Sequence, residues 1–250
     1  NTRNNKHTHT KSGRKVALFS FIPSNIMSKK YEAPQEVRSL EKMINDFSYR
    51  NGLNPKDVLD DLLVYIIHGF SPLAPPLKTW RYKKEQTRVF WDMLCEWIQI
   101  MDKQLKTKEW FDPFGDLYMT FTSRYHQQNT GQFFTPVSIC ELMVMTLQGN
   151  KATCQKICDP TCGSGRLLLA YHVHNPGNYL VGEDKAYSCC LMSVVNFVIH
   201  GCVGEILWHN SLLPDSFSGG WRINETLNLT GVPTVREITR EEYIRSRQYQ

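Results

Sequence analysis

The chain has no apolar run approaching the roughly 20 residues that span a bilayer, and no signal-peptide pattern. A membrane or secreted class is therefore set aside, and a cytoplasmic protein is expected. Internal repeats and long low-complexity segments are also missing. Acidic residues are absent from one stretch: residues 1–30 carry Arg3, Lys6, Lys11, Arg14, Lys15, Lys29 and Lys30 but no Asp or Glu. The net charge of +5 originates there, because setting those seven aside leaves 22 basic against 24 acidic residues. Any general attraction to phosphates thus belongs to the tail, whose plainer reading is a disordered leader. The chain opens on Asn1 and Met27 would make a natural start, so 1–26 read as an extension or a processed remnant.

What is present is ordinary for a globular protein: 250 residues, 21% charged and 41% hydrophobic. Eight cysteines invite a disulfide or zinc reading. Cys140, Cys189, Cys190 and Cys202 lie in apolar, helix-like segments, where a thiol packs as a small hydrophobe. Cys154, Cys158 and Cys162 are spaced like zinc ligands, but Cys158 ends an expected strand and Cys162 lies inside a glycine loop. A metal there would occupy the space of the loop's own ligand, so no metal and reduced thiols are expected.

The first half reads helical. In 35–50, Val37, Leu40, Ile44 and Phe47 recur at helical spacing before the stop signal Asn51-Gly52. Asn54 and Pro55 cap and open a second helix that ends near Gly69. Ser71 to Pro76 form a proline-rich connector, and a third helix covers roughly 85–106. After Asp112-Pro113-Phe114-Gly115 the character changes. Short strands at 156–159, 179–182 and 205–208 alternate with helices after Gly165 and across 186–200, the signature of a parallel sheet. The organisation read from this is a basic tail (1–30), a helical region (31–111) and a Rossmann-like α/β domain (112–250).

The chemistry centres on Ile157-Cys158-Asp159-Pro160-Thr161-Cys162-Gly163-Ser164-Gly165-Arg166-Leu167. A strand ends in an acid, a tight Gly-x-Gly loop follows, and a helix begins at once. Glycines let backbone approach a ligand closely, and a helix N-terminus favours a carboxylate or phosphate. The loop lacks both the phosphate-loop ending and the three-glycine dinucleotide spacing. One strand later Glu183 and Asp184 stand where nucleotide-binding α/β folds hold ribose hydroxyls, and His209-Asn210-Ser211 after the third strand suits an adenine edge. Upstream, Thr135 reads as an N-cap and Pro136 as the first residue of a helix to about 148, an end suited to an amino-acid carboxylate.

Gly131-Gln132-Phe133-Phe134-Thr135-Pro136 and the 159–167 string, in this order and at this separation, resemble the N-6 adenine DNA methylase family. Its modification subunits of Type I restriction systems are the most similar members. Asp112-Pro113-Phe114-Gly115-Asp116-Leu117-Tyr118 resembles the family's lead-in, so the likeness covers about 112–212. The resemblance implies a Rossmann-like methyltransferase that binds S-adenosylmethionine and methylates adenine N6 in DNA. Gln132, Phe133, Phe134, Thr135 and Pro136 would hold the methionine part. Asp159, Gly163, Ser164 and Gly165 would line the loop beneath it, Asp184 would hold the ribose, and Asn210, where an aspartate is common, would face the adenine.

The departure is as informative. The family's catalytic string, Asn/Asp-Pro-Pro-Tyr/Phe, follows its fourth strand, and this chain has none. Ala74-Pro75-Pro76-Leu77 lacks the polar and aromatic members, and Asn175-Pro176-Gly177 comes too early. Catalytic residues are thus unassigned. Residues 215–250 look too short for the usual remaining elements, apart from a strand near 235–238 and a helix capped by Thr239 and Glu242. A sheet truncated after three parallel strands would leave an apolar edge. That predicts a protein partner or oligomer completing the site, or a strand at 16–22 folding back. Three readings remain open: a DNA methyltransferase or a subunit of one; a non-catalytic cofactor-binding or regulatory subunit of a modification complex; and a methyltransferase for protein or small molecules, against which the Gly-Gln-Phe-Phe-Thr-Pro string and the helical leader argue.

Overall fold

The computed structural model describes residues 31–72, 74–77, 80–122, 134–147, 153–213 and 215–248. The basic tail, the 16–22 segment, Gln132 and Phe133 lie outside the described residues. A single 3₁₀ turn, Gln35–Val37, leads into α1 (Arg38–Asn51), which buries Leu40, Ile44 and Phe47. Gly52 ends it at φ +64°, a left-handed conformation that glycine adopts without a Cβ penalty. In α2 (Pro55–Gly69) the Asn54 side chain accepts from the Lys56 N–H at 2.9 Å, and six aliphatic residues from Val58 to Ile67 face inward. α3 (Lys84–Gln104) buries Phe90, Met93, Trp97, Ile100 and Met101. A further helix, α4 (Pro113–Phe121), starts where Asp112 accepts from the Gly115 N–H at 2.9 Å. α5 (Val137–Leu147) follows the Phe-Thr-Pro segment.

The α/β part runs β1 (Lys156–Asp159), α6 (Arg166–His174), β2 (Tyr179–Asp184), α7 (Tyr187–Ile199) and β3 (Gly204–Trp208). It continues with β4 (Gly219–Ile223), a short α8 (Leu227–Thr230), β5 (Val235–Glu237) and α9 (Arg240–Gln248). The strands lie in the order β1-β2-β3-β4-β5, the first three parallel and the last two antiparallel. The architecture is α/β with a Rossmann-like parallel unit, preceded by a helical region.

The strand expected near 235–238 is present as β5, but the sheet does not end after three parallel strands, and the added strands run antiparallel. β4 pairs along the whole of β3, from Gly204↔Ile223 to Trp208↔Gly219, so that edge is covered by the chain itself. Gly219-Gly220 hid the strand, because glycine packs poorly and lowers strand propensity. Close approach is the reason for glycine here: a Cβ on Gly220 would lie 3.0 Å from the Ile206 carbonyl oxygen. Among the described residues the edge beyond β3 is now β5, and the opposite edge, β1, has no outer neighbour. The final helix is capped as the sequence suggested, with Thr239 Oγ1 accepting from the Glu242 N–H and Glu242 Oε2 from the Thr239 N–H.

Side-chain alternation divides the sheet between two cores. Leu180 and Ile206 join one large cluster with α6, α7 and the helical region, while Val181 and Leu207 face Phe217, Ile238 and Tyr243 on the other side. All eight cysteines are free thiols, five of them buried. No helix among the described residues is long and apolar enough to cross a membrane.

Candidate functional site

The carboxyl ends of β1, β2 and β3 are tied together by their loops. Asp159 Oδ1 accepts from the Thr161 N–H at 3.0 Å, and the Cys162 N–H donates to the Glu183 carbonyl at 2.9 Å. Asp184 holds the glycine loop directly: Oδ2 accepts from the Gly163 N–H at 3.0 Å and Oδ1 from the Ala186 N–H at 2.8 Å. The His209 N–H donates to the Asp184 carbonyl at 3.0 Å, and Ser211 Oγ donates to the Pro160 carbonyl at 2.9 Å. Half-buried Asn210 is thereby brought beside the β1 loop, with its Oδ1 accepting from the Leu212 N–H.

Gly163 has φ +56°, and a Cβ there would sit 3.0 Å from Phe134 Cδ1. Phe134 is thus the residue through which the upstream string meets the loop, and its ring lies 5.6 Å from that of Tyr118. Thr135 is half-buried and Pro136 exposed. α5 is assigned from Val137, one residue later than expected, although the Pro136 carbonyl already accepts from the Ile139 and Cys140 N–H groups. Gly165, at φ +87°, forms the cap of α6. The two acids of β2 part company by strand alternation: Asp184 serves the loop, and Glu183 Oε2 lies 3.4 Å from Nε2 of the buried His209.

Ser164 has a different role from the loop glycines. Its hydroxyl donates to Asp112 Oδ2 at 2.6 Å, at the heart of a buried cluster that sequence reasoning did not find. Arg166 Nε donates to the same oxygen at 2.7 Å and Nη2 to Asp116 Oδ1 at 2.6 Å. Asn196 Nδ2 bridges Asp112 Oδ1 and the Ser164 carbonyl, each at 2.8 Å, and the Tyr31 hydroxyl donates to Asp116 at 2.6 Å. Burial acts to lower the Arg166 pKa, but the charges of Asp112 and Asp116 outweigh it and leave it raised. One signal was available: an arginine heading the apolar run Leu167-Leu168-Leu169-Ala170 needs a carboxylate partner.

The site is acidic, and its first acid, Asp159, is buried. Burial pushes the Asp159 carboxyl up to about 6, reinforced by the charges of Asp184 and Glu183 and opposed by the Thr161 N–H. Burial also raises Asp184, against the two backbone N–H groups that favour its charge. An unfolded aspartate titrates near pH 3.9, so between roughly 4 and 6 the folded chain holds a proton that the unfolded chain has released. The Asp159 contribution therefore weakens the fold as pH rises through that window and is absent below it. Asp159→Asn should be more stable than wild type at pH 7 by on the order of 2 kcal/mol, with the gap closing by pH 4. Parallel urea titrations at the two pH values check this, and a gap independent of pH would contradict it.

A glycine loop after the first strand of a parallel β-α-β-α-β unit, with an acid ending the second strand, defines a Rossmann-like ligand-binding fold. The segment 110–229 matches the family model described as N-6 DNA Methylase, and the chain resembles the Type I methylase subunits. It is 28% identical over 102 residues to the Type I restriction enzyme MjaVII methylase subunit of Methanocaldococcus jannaschii, covering 38% of this chain and 17% of that protein. To the MpnII methylase subunit of Mycoplasma pneumoniae it is 40% identical over 75 residues, 29% of this chain and 14% of the relative. The matched stretches thus span less than a fifth of either relative. Among solved structures, a putative class I S-adenosylmethionine-dependent methyltransferase from Listeria monocytogenes superposes with TM-score 0.42 at 12% identity, covering 72% of this chain and 55% of that one. A Type I restriction-modification methyltransferase subunit from Streptococcus thermophilus gives TM-score 0.31 at 18% identity, covering 69% and 38%.

Proposed function

We propose that this chain binds S-adenosylmethionine and forms the cofactor-binding part of an adenine-N6 DNA methyltransferase. The observation that carries the reading is the junction of Phe134, Gly163 and Asp184, where a Cβ would intrude and a carboxylate already grips the loop. Such a cradle fits an adenosyl amino acid. Asp184 retains acceptor capacity for ribose hydroxyls, since each carboxylate oxygen has two lone pairs and is using one for a backbone N–H. Phe134, Thr135 and Pro136, with Gln132 and Phe133 from the same string, would hold the methionine part. Asp159, Gly163 and Gly165 would form the floor, Ser164 would brace the loop from behind, and Asn210 would face the adenine. The acids suit the cationic sulfonium, which supplies an electrophilic methyl group when bound.

The grip on the target base must come from elsewhere, because this sequence carries no polar-Pro-Pro-aromatic string. Ligands of open α/β sheets bind where the strand order reverses. Here all described strands extend to one side of β1. That arrangement supports a partner or further segment contributing the other side of the crevice, as in a multisubunit modification enzyme acting on DNA.

The experiment is transfer of labelled methyl from S-adenosylmethionine to DNA lacking N6-methyladenine. Extruding a base costs a few kcal/mol, and each 1.4 kcal/mol of lost transition-state stabilisation is about tenfold in rate. The purified chain alone should fall at least about 100-fold short of the same chain supplied with its completing partner. Multiple-turnover labelling by the chain alone, abolished by Asp184→Ala, would refute the need for a partner. A reconstituted complex that binds cofactor but never labels DNA would favour the non-catalytic subunit.

A further inference from the structure

The helical region reaches the candidate site through α2. Lys56 Nζ donates to Asp60 Oδ2 at 2.6 Å and to Ser188 Oγ at 2.9 Å, and Ser188 Oγ in turn donates to Asp60 Oδ2 at 2.9 Å. Ser188 lies in the first turn of α7, two residues after Ala186, whose N–H is held by Asp184. On its other side Lys56 Nζ stands 6.0 Å from the centre of the Tyr118 ring. Tyr118 leads to Phe134, Phe134 to Gly163, and Gly163 back to Asp184. These contacts form a closed ring that links Lys56 to the glycine loop by two routes, through Ser188, Ala186 and Asp184 and through Tyr118 and Phe134.

Charge gives Lys56 a purpose in that ring. Asp159, Glu183 and Asp184 crowd the strand ends, which favours a cationic ligand and disfavours an anionic group. Arg166 is no counterweight, being buried between Asp112 and Asp116. Lys185 is exposed, and its carbonyl accepts from Trp208 on the β3 side. Lys56 stands over the Tyr118 ring, while the cation over the Phe134 ring is Arg166, already paired with both aspartates; the Lys56–Asp60 pair keeps about a quarter of its side-chain surface open to solvent. Its partnership with Asp60 is also incomplete, because Asp60 Oδ1 is buried without a hydrogen bond. A lysine held by one carboxylate oxygen on a four-carbon stem can exchange that oxygen for another carboxylate.

Building on the S-adenosylmethionine reading, we propose that Lys56 is a specificity residue that takes the carboxylate of the cofactor's amino-acid end. The sulfonium and amine would be drawn by the acids of the strand ends, and Lys56 would select for the one anionic group. A cofactor lacking that carboxylate would gain nothing from the lysine. Lys56 would then couple occupation of the pocket to the α2–α7 contact.

The test is calorimetric titration of the full chain with S-adenosylmethionine and with its decarboxylated analogue, which keeps sulfonium and amine. Lys56→Met should weaken the former about 10- to 100-fold, the range of a charge-assisted hydrogen bond, and alter the latter by less than about threefold. Lys56→Arg should restore binding to within about tenfold, and Asp60→Asn, which removes the competing carboxylate, should tighten it. The comparison of two ligands on one variant cancels any loss from partial unfolding. Equal losses for both ligands, or none for either, would overturn the assignment of Lys56. Failure of folded wild type to bind either ligand would overturn the cofactor reading itself.

Discussion

Asp112→Ala should cost about 3–5 kcal/mol of stability, the largest effect expected from any single side chain here. The reason is the guanidinium left behind. Arg166 and Asp112 are both almost wholly buried, and Asp112 Oδ2 accepts from Arg166 Nε and Ser164 Oγ while Oδ1 accepts from Asn196 and Gly115. Removing the carboxylate strands one charge and three further donors away from water, and an unpaired buried polar group is expensive. Asp116 alone cannot compensate, since burial already raises its pKa and it also serves Tyr31. Arg166→Met with Asp112→Leu, which removes both charges, should be far milder than either single change. Urea midpoints of the three variants measure this. A single Asp112→Ala loss below about 1 kcal/mol would mean that the cluster is hydrated and weakly held.

The second large effect falls on ligand binding. Gly163→Val should reduce S-adenosylmethionine affinity at least about 100-fold, because φ +56° disfavours a β-branched residue and its Cβ would meet Phe134 at 3.0 Å. Asp184→Ala should cost about 10- to 100-fold by removing an acceptor for ribose hydroxyls and freeing the Gly163 and Ala186 N–H groups. The two lesions differ in kind. Asp184→Asn keeps the shape and one acceptor oxygen, so it should recover part of the loss, whereas Gly163→Ala should recover little, since its Cβ occupies the same position.

Local signals carried the sequence a long way where they agreed with burial. Asn51-Gly52 and Asn54-Pro55 mark helix boundaries by capping chemistry that needs no tertiary context, and α1 ends at the first and α2 begins at the second. Buried parallel strands and the amphipathic helices between them announced β1 to β3 in the same way. β4 did not, because Gly219-Gly220 serves close packing on β3, a relation invisible until β3 is in place. α4 was hidden by Gly115 in its first turn, where a Cβ would lie 2.0 Å from Asp112 Oδ2. The site shows the same limit. The glycine loop and Asp184 could be placed from order and spacing along the chain. The hold of Asp112 on Ser164 and Arg166, 52 and 54 residues later, and of Lys56 on Ser188 depends on how helices pack.

The most direct test of the account is calorimetric titration of folded wild-type chain with S-adenosylmethionine, alongside Asp184→Ala and Gly163→Val. The account predicts a one-to-one complex with wild type and strongly weakened binding by both variants. Folded wild type that binds no cofactor, or variants that bind it as wild type does, would contradict it.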